Sequence, residues 1–282
     1  MMNMAPRPRD RTLRRAGLLL LALALVAPVP VSASAPPVVL RYEAYALGLP
    51  VLVFDFRLDE GERGYDAAGA IRAIGLLRLF ASFSMHTESQ GAIAADQLHP
   101  RRHETASRTR GKDRLARLDY PGDGSVAAVI APPDDPGRPK PTAQQIAGTL
   151  DPLSAILAVG HNVARAGHCT GTVAIYDGRR RYDMTLVDRG AERIEPSARY
   201  GYAGEVRRCD VSVVKIAGFS FDQDYSPHTE RGRVWLASPR PGLPPLPVRI
   251  EFDSDWGAIS VRMTAIDPPK ADEVLPAARR ID

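Results

Sequence analysis

The side chains whose types and spacing bear on chemistry fall into a few groups. The densest is Asp177-Gly-Arg-Arg-Arg-Tyr-Asp183. On a strand Arg179 and Arg181 share a face, where two guanidinium forks can clamp a phosphate or carboxylate. The plainer reading is a turn at Asp177-Gly178 with the arginines paired to nearby acids, and exposed pairs of that kind are worth little. His99 and His103 lie four apart, and His161 and His168 seven apart. Zinc needs three or four converging ligands. Pro100 argues against the helix that would bring the first pair together, and His168 follows the expected end of a helix, so no metal site is expected. Ser154 and His161 are the nearest Ser/His pair on one helix, but two turns hold them about 10 Å apart, beyond the reach that activation of a nucleophile requires. Neither a Gly-x-Ser-x-Gly elbow nor a phosphate-cradling glycine loop is present. No catalytic residue and no cofactor is therefore assigned, and the chain reads as leaning away from an enzyme.

Cys169 and Cys209 are the only cysteines. In an exported chain an even number reads as a disulfide; the alternative, a free nucleophile or redox pair, lacks a Cys-x-x-Cys.

Export is read from the first 33 residues. Arg7, Arg9, Arg11, Arg14 and Arg15 precede an apolar run over 18–26, too short to span a bilayer as a mature helix. Val31-Ser-Ala33 gives a small-x-Ala site, so cleavage after Ala33 and a periplasmic location are expected. No cysteine lies near the site to carry a lipid anchor, and Arg14-Arg15 lacks the usual flanks of a twin-arginine signal. The leader holds five of the 37 basic residues and one of the 33 acidic ones, so the mature chain is balanced at 32 of each. A neutral mature chain gives no global reason to bind nucleic acid.

The elements that must position these groups centre on residues 148–165, the only long helix expected. Asp151 can cap it, Pro152 fits its first position, Gly167 can stop it, and Leu153, Ile156, Leu157, Gly160 and Val163 or Ala164 form one apolar face. Elsewhere period-two alternation predicts strands over 39–47, 51–59, 64–72, 80–90, 101–109, 112–120, 126–130, 171–176, 180–187, 205–217, 233–237, 247–253 and 258–266. Within 51–59, Leu52, Phe54, Phe56 and Leu58 make the core face, while Val51, Val53, Asp55 and Arg57 face away. Five prolines make 131–141 a loop leading directly into the helix, and the tail from 267 to 282 reads as disordered. The class is α+β and mostly β, with a curved antiparallel sheet, half-barrel or β-spiral like, wrapped around one main helix in a single domain over 38–266.

Four features together resemble an exported bacterial family, the domain of unknown function numbered 3108 (DUF3108): Tyr42-Glu-Ala-Tyr45 with Gly48, Gly148-Thr-Leu-Asp-Pro-Leu-Ser154, Asp177-Gly-Arg-Arg-Arg-Tyr-Asp183, and the two cysteines. The resemblance covers 38–266 and implies a periplasmic protein with no established activity and no catalytic residues to carry over. By fold-level analogy alone, its curved sheet is similar to that of lipoprotein carriers.

The expectation that uses this architecture is a non-enzymatic binder of an apolar ligand, a lipid or acyl chain, or of an envelope partner, in a groove lined by Phe54, Phe56, Leu157 and Trp235 with Arg179 and Arg181 at its polar side. The plainer alternative is that the helix fills the groove as an ordinary core. A rival is an envelope hydrolase or transferase using the Asp177–Asp183 cluster. Membrane association is expected only through a ligand or partner.

Overall fold

The computed structural model describes residues 36–80, 82–134, 136–219, 230–254 and 257–269. The expected leader, most of the expected tail and most of the polar loop before Gly232 lie outside them. The first half of the chain is a meander of β1 (Val38–Ala46), β2 (Leu49–Gly61), β3 (Gly64–Ala73), the short helix α1 (Leu77–Phe80), β4 (Phe83–Ala94), β5 (Gln97–Thr109), β6 (Lys112–Asp119) and β7 (Ala127–Ala131). Several turns are two-residue loops with both positions left-handed, Leu47-Gly48, Ala95-Asp96 and Arg110-Gly111, a turn whose twist matches that of the strands it joins.

The chain then crosses over through the proline loop, α2 (Ala143–Ile146) and α3 (Pro152–Ala166). The loop does not run directly into the long helix as expected. Thr142 and Gln145 form a reciprocal capping box that opens α2 first. In α3 the Asp151 carboxylate accepts from the backbone N–H groups of Leu153 and Ser154, and Gly167 ends the helix at φ 73°. Burial is broader than one stripe: Leu153, Leu157, Gly160 and Val163 are joined by Ser154, Ala155 and Val159, whereas Ala164 is exposed.

A second meander follows: β8 (Gly171–Tyr176), β9 (Arg181–Ile194), β10 (Gly204–Ala217), β11 (Glu230–Ala237), β12 (Leu246–Ser254) and β13 (Gly257–Ile266). The thirteen described strands form one antiparallel sheet in the order β7-β6-β5-β4-β3-β2-β1-β13-β12-β11-β10-β9-β8. The two meanders are thus joined side by side by β1 and β13, and β7 and β8 are its edges. The β8 edge is covered by the crossover, because Leu150 donates to the Ala174 carbonyl and accepts from the Tyr176 N–H. Such covering blunts an otherwise open edge.

Helix α3 contacts β3, β4 and β5 from one meander and β8 and β12 from the other. Leu153 and Leu157 join a cluster with Leu40, Phe56, Leu58 and Met263, and Val159 and Val163 join a second with Leu186, Val234 and Leu236. Gly160 lies where a Cβ would strike the Pro245 carbonyl. The Cys169–Cys209 disulfide is present, with Cα atoms 6.4 Å apart; Cys169 sits in the connection before β8 and Cys209 on β10.

The side of β2 turned away from α3 is not all exposed. Asp55, expected to face away from the core, is fully buried because Arg41 on the neighbouring strand covers it, donating from Nε at 2.6 Å and Nη2 at 3.1 Å.

Candidate functional site

Cross-strand register sorts the inner face of the sheet into layers. The deepest, beside α3, runs through Leu58, Ala67, Ser89, His103 and Leu118, all buried. Phe56, Gly69, Thr87, Thr105 and Ala116 lie one step toward the strand end that carries the Leu47-Gly48 and Arg110-Gly111 turns. A further step carries Phe54, Ile71, Met85 and Ser107, every one of them partly exposed. Toward the second meander this line passes from Phe54 through Tyr42 to Met263, both buried; Val261 and Ile250, paired across β13 and β12, lie one step further out, in line with Leu52 through Ala44, and are partly exposed. Gly69 shapes it: a Cβ there would stand 2.7 Å from the Phe54 ring. Phe54 also stacks against Tyr42, with centroids 5.6 Å apart.

Of the expected groove residues, Phe56, Leu157 and Trp235 are buried in one cluster, with Phe54 packed against it and partly exposed. The Trp235 indole N–H donates to Glu192 at 2.7 Å, and the Arg249 guanidinium lies 4.5 Å over its ring.

The polar members of the inner face make a network. Asp151 Oδ1 accepts from Ser89 Oγ at 2.5 Å and from the N–H groups of Leu153 and Ser154 at 3.0 Å, and Oδ2 accepts from Ser154 Oγ at 2.5 Å. Tyr65 OH then donates to Ser154 Oγ at 2.6 Å. His103 Nδ1 lies 2.7 Å from Ser89 Oγ and 3.2 Å from Asp151 Oδ1, and its Nε2 is 2.9 Å from Thr105 Oγ1. Because the Ser89 proton goes to Asp151, His103 Nδ1 is the donor to Ser89 Oγ. Burial pushes the Asp151 carboxyl up, but the hydrogen bond and charge of His103, with the Ser154 bonds, hold it below its ordinary value. Burial pushes the Tyr65 phenol up.

This carboxylate, imidazole and hydroxyl series has the order of a proton relay. Its carboxylate, however, also caps α3 with two backbone bonds and takes two serine hydroxyls, so the network fastens the start of the helix to β3, β4 and β5. His99 and His103, four apart, lie on opposite faces: the ladder shifts at Arg101, leaving His99 exposed and turning His103 inward. His161 instead faces Glu60, 3.1 Å from its Oε1, and His168 is exposed. The sequence reading missed this network. Its one legible sign was Thr87 and Ser89 alternating in step with Phe83 and Met85.

Arg179 and Arg181 are engaged. Arg179 pairs with Asp134 and donates to the carbonyls of Leu115, Ala131 and Pro132. Arg181 donates to the Gln145 carbonyl at 2.8 Å and to Asp183 at 2.7 Å. The β8–β9 turn is thereby tied to β6, the end of β7 and α2. Among the described residues, the one close cluster of metal-ligating types is Cys169, Asp188 and Cys209, and its sulfurs are consumed by the disulfide. No described helix is long and apolar enough to cross a membrane.

Comparison with known proteins agrees with this architecture. A family model described as "Protein of unknown function (DUF3108)" matches residues 41–265. The crystal structure of a beta-barrel-like protein of domain of unknown function DUF1849 from Brucella abortus is similar, with a TM-score of 0.50 and 12% identity, covering 82% of this chain and 97% of that chain. At that identity the likeness is one of fold. No curated protein matches the chain.

Proposed function

The chain belongs to the DUF3108 family, and from that premise and the geometry of the inner face we propose that it is an exported, non-enzymatic binder of an apolar ligand, an acyl chain or lipid, in the cell envelope. The leader over 1–33, cut after Ala33, would deliver it to the periplasm. We read the sheet as curled around α3, with the helix filling one end of the enclosed space. The observation that carries the reading is the layer of Phe54, Ile71 and Met85, with Leu52, Val261 and Ile250 one step further out, apolar and partly exposed on a face whose next layer inward, through Phe56 and Thr87, is buried. A concave surface with apolar walls and a few polar groups at its floor, here Thr87 and Thr105, suits such a ligand. Phe54 belongs to this mouth, while Phe56 and Leu157 support it from beneath; Trp235, paired with Arg249, falls on the face opposite Ile250 and Val261. Arg179 and Arg181 close the sheet rather than contact ligand, since their donors are occupied; the hydrolase or transferase reading would need them free.

The test is native mass spectrometry of the mature protein from the periplasm, before and after solvent extraction. A lipid-sized adduct removed by extraction, and absent from Phe54→Asp, supports the reading. A bare protein mass under conditions that retain lipids on a known carrier refutes it and turns attention to an envelope partner.

A further inference from the structure

Charge at the open strand end is one-sided. Arg72 on β3, Ser84 on β4 and Arg108 on β5 are cross-strand neighbours. With Arg78 of α1, Ser82, Ala73 and Phe83 they line a cleft of about 290 Å³. Arg108 is held bidentately by Asp113, at 2.6 and 2.8 Å. Arg72 and Arg78 have no carboxylate within ion-pair distance among the described residues. The adjoining β5–β6 hairpin adds Arg110, whose N–H donates to the Ser82 carbonyl at 3.0 Å, together with Lys112 and Arg114, and Asp113 is the one acid within 106–116.

Two guanidinium groups without counter-charge beside a cleft with two hydroxyls match the two charges and the acceptor oxygens of a phosphomonoester. Arg72, Ser84 and Arg108 alternate to the face opposite Ile71, Met85 and Ser107, and the cleft wraps the strand ends, where its apolar wall of Ala73 and Phe83 returns to the inner face. Ala73 and Phe83 lie two residues along their strands from Ile71 and Met85, and Leu76 on the connecting loop is 62% exposed. We infer that this cleft receives the phosphate of an anionic lipid whose acyl chain enters the mouth lined by Phe54, Ile71 and Met85. The inference deepens the proposed function and rests on it for the acyl chain, though not for the phosphate.

The experiment is calorimetric titration of the mature protein with dihexanoyl phosphatidate, with uncharged dihexanoylglycerol and with inorganic phosphate. The phosphatidate should bind at least tenfold more tightly than the diglyceride, and its advantage should shrink in high salt as the charges are screened. Arg72→Gln/Arg78→Gln should remove that advantage and leave diglyceride affinity unchanged, while Arg193→Gln/Arg199→Gln on the other meander should keep it. If the double variant does not fold, Arg78→Gln alone, at an exposed position, should still lose about threefold. No advantage for phosphatidate, or one that survives both variants, overturns the inference. Inorganic phosphate binding as tightly as phosphatidate and lost in the double variant would overturn the lipid source and keep a phosphate site. Failure of the diglyceride to bind, with the phosphate response intact, would count against the acyl-binding reading instead.

Discussion

At the scale of single residues, Asp151 bears the most. It caps α3 and accepts two buried serine hydroxyls, so Asp151→Ala should cost about 3 kcal/mol in urea unfolding, combining a lost cap with buried donors left unsatisfied. Ser154→Ala, which removes one hydroxyl, should cost roughly 1 kcal/mol. Since the folded Asp151 carboxyl is held below its ordinary value, its contribution is complete above about pH 3.9, the unfolded value, and is lost as pH falls through the folded one. His161 acts in the opposite sense. The hydrogen bond that His161 donates to Glu60 raises its pKa against the effect of burial, so its contribution is full below about pH 6.5 and declines as pH rises through the folded value. Thermal midpoints should therefore carry a falling component above pH 6.5 that His161→Gln removes; an identical pH profile in the variant would refute the coupling. Asp151 was legible as a cap because Pro152 and the apolar period follow it. What it holds was not, because the register shift at Arg101 that turns His103 inward leaves no mark in a run of alternating residues. For Asp55 alternation assigns the face, but only the neighbouring strand reveals that Arg41 covers it.

At the scale of elements, α3 and the glycine-bearing hairpins were readable, since caps, period and turn residues all point the same way. The Ala95-Asp96 turn was not, because it places two non-glycine residues in the left-handed region and tertiary pairing has to impose it. Helix α2 was missed because four residues are too few to show a period. Two consequences can be measured. Gly160→Ala puts a methyl group against the Pro245 carbonyl, which belongs to backbone and cannot swing aside, so a loss of about 2 kcal/mol or more is expected in chemical denaturation. Removing the disulfide with Cys169→Ala/Cys209→Ala should cost about 4 kcal/mol by the chain-entropy relation for a separation of 40 residues. Circular dichroism of the reduced protein through a thermal ramp would show a lower midpoint with the strand spectrum retained below it.

At the scale of the whole molecule, the layered inner face was half legible. The chain announced an apolar face on β2 and a helix to set against it, but not that burial would fade from Phe56 to Phe54. Gly69 offers a way to alter the mouth without adding charge. Gly69→Ala should push the Phe54 ring aside and weaken binding of a fluorescent acyl probe several-fold, with a smaller change in stability; unchanged probe binding would place the ligand elsewhere. The position of β1 has a further implication, for the order of assembly. Its partners are β2, the next strand made, and β13, the last. Whether the chain leaves a ribosome or threads an export channel, it emerges amino terminus first, so one side of β1 stays unzipped until nearly all of the polypeptide has appeared. Completion of the sheet is thereby deferred to the final strand. During that wait the exposed flank of β1 is open to any other strand that can pair with it, and an attendant chaperone would have most to protect there.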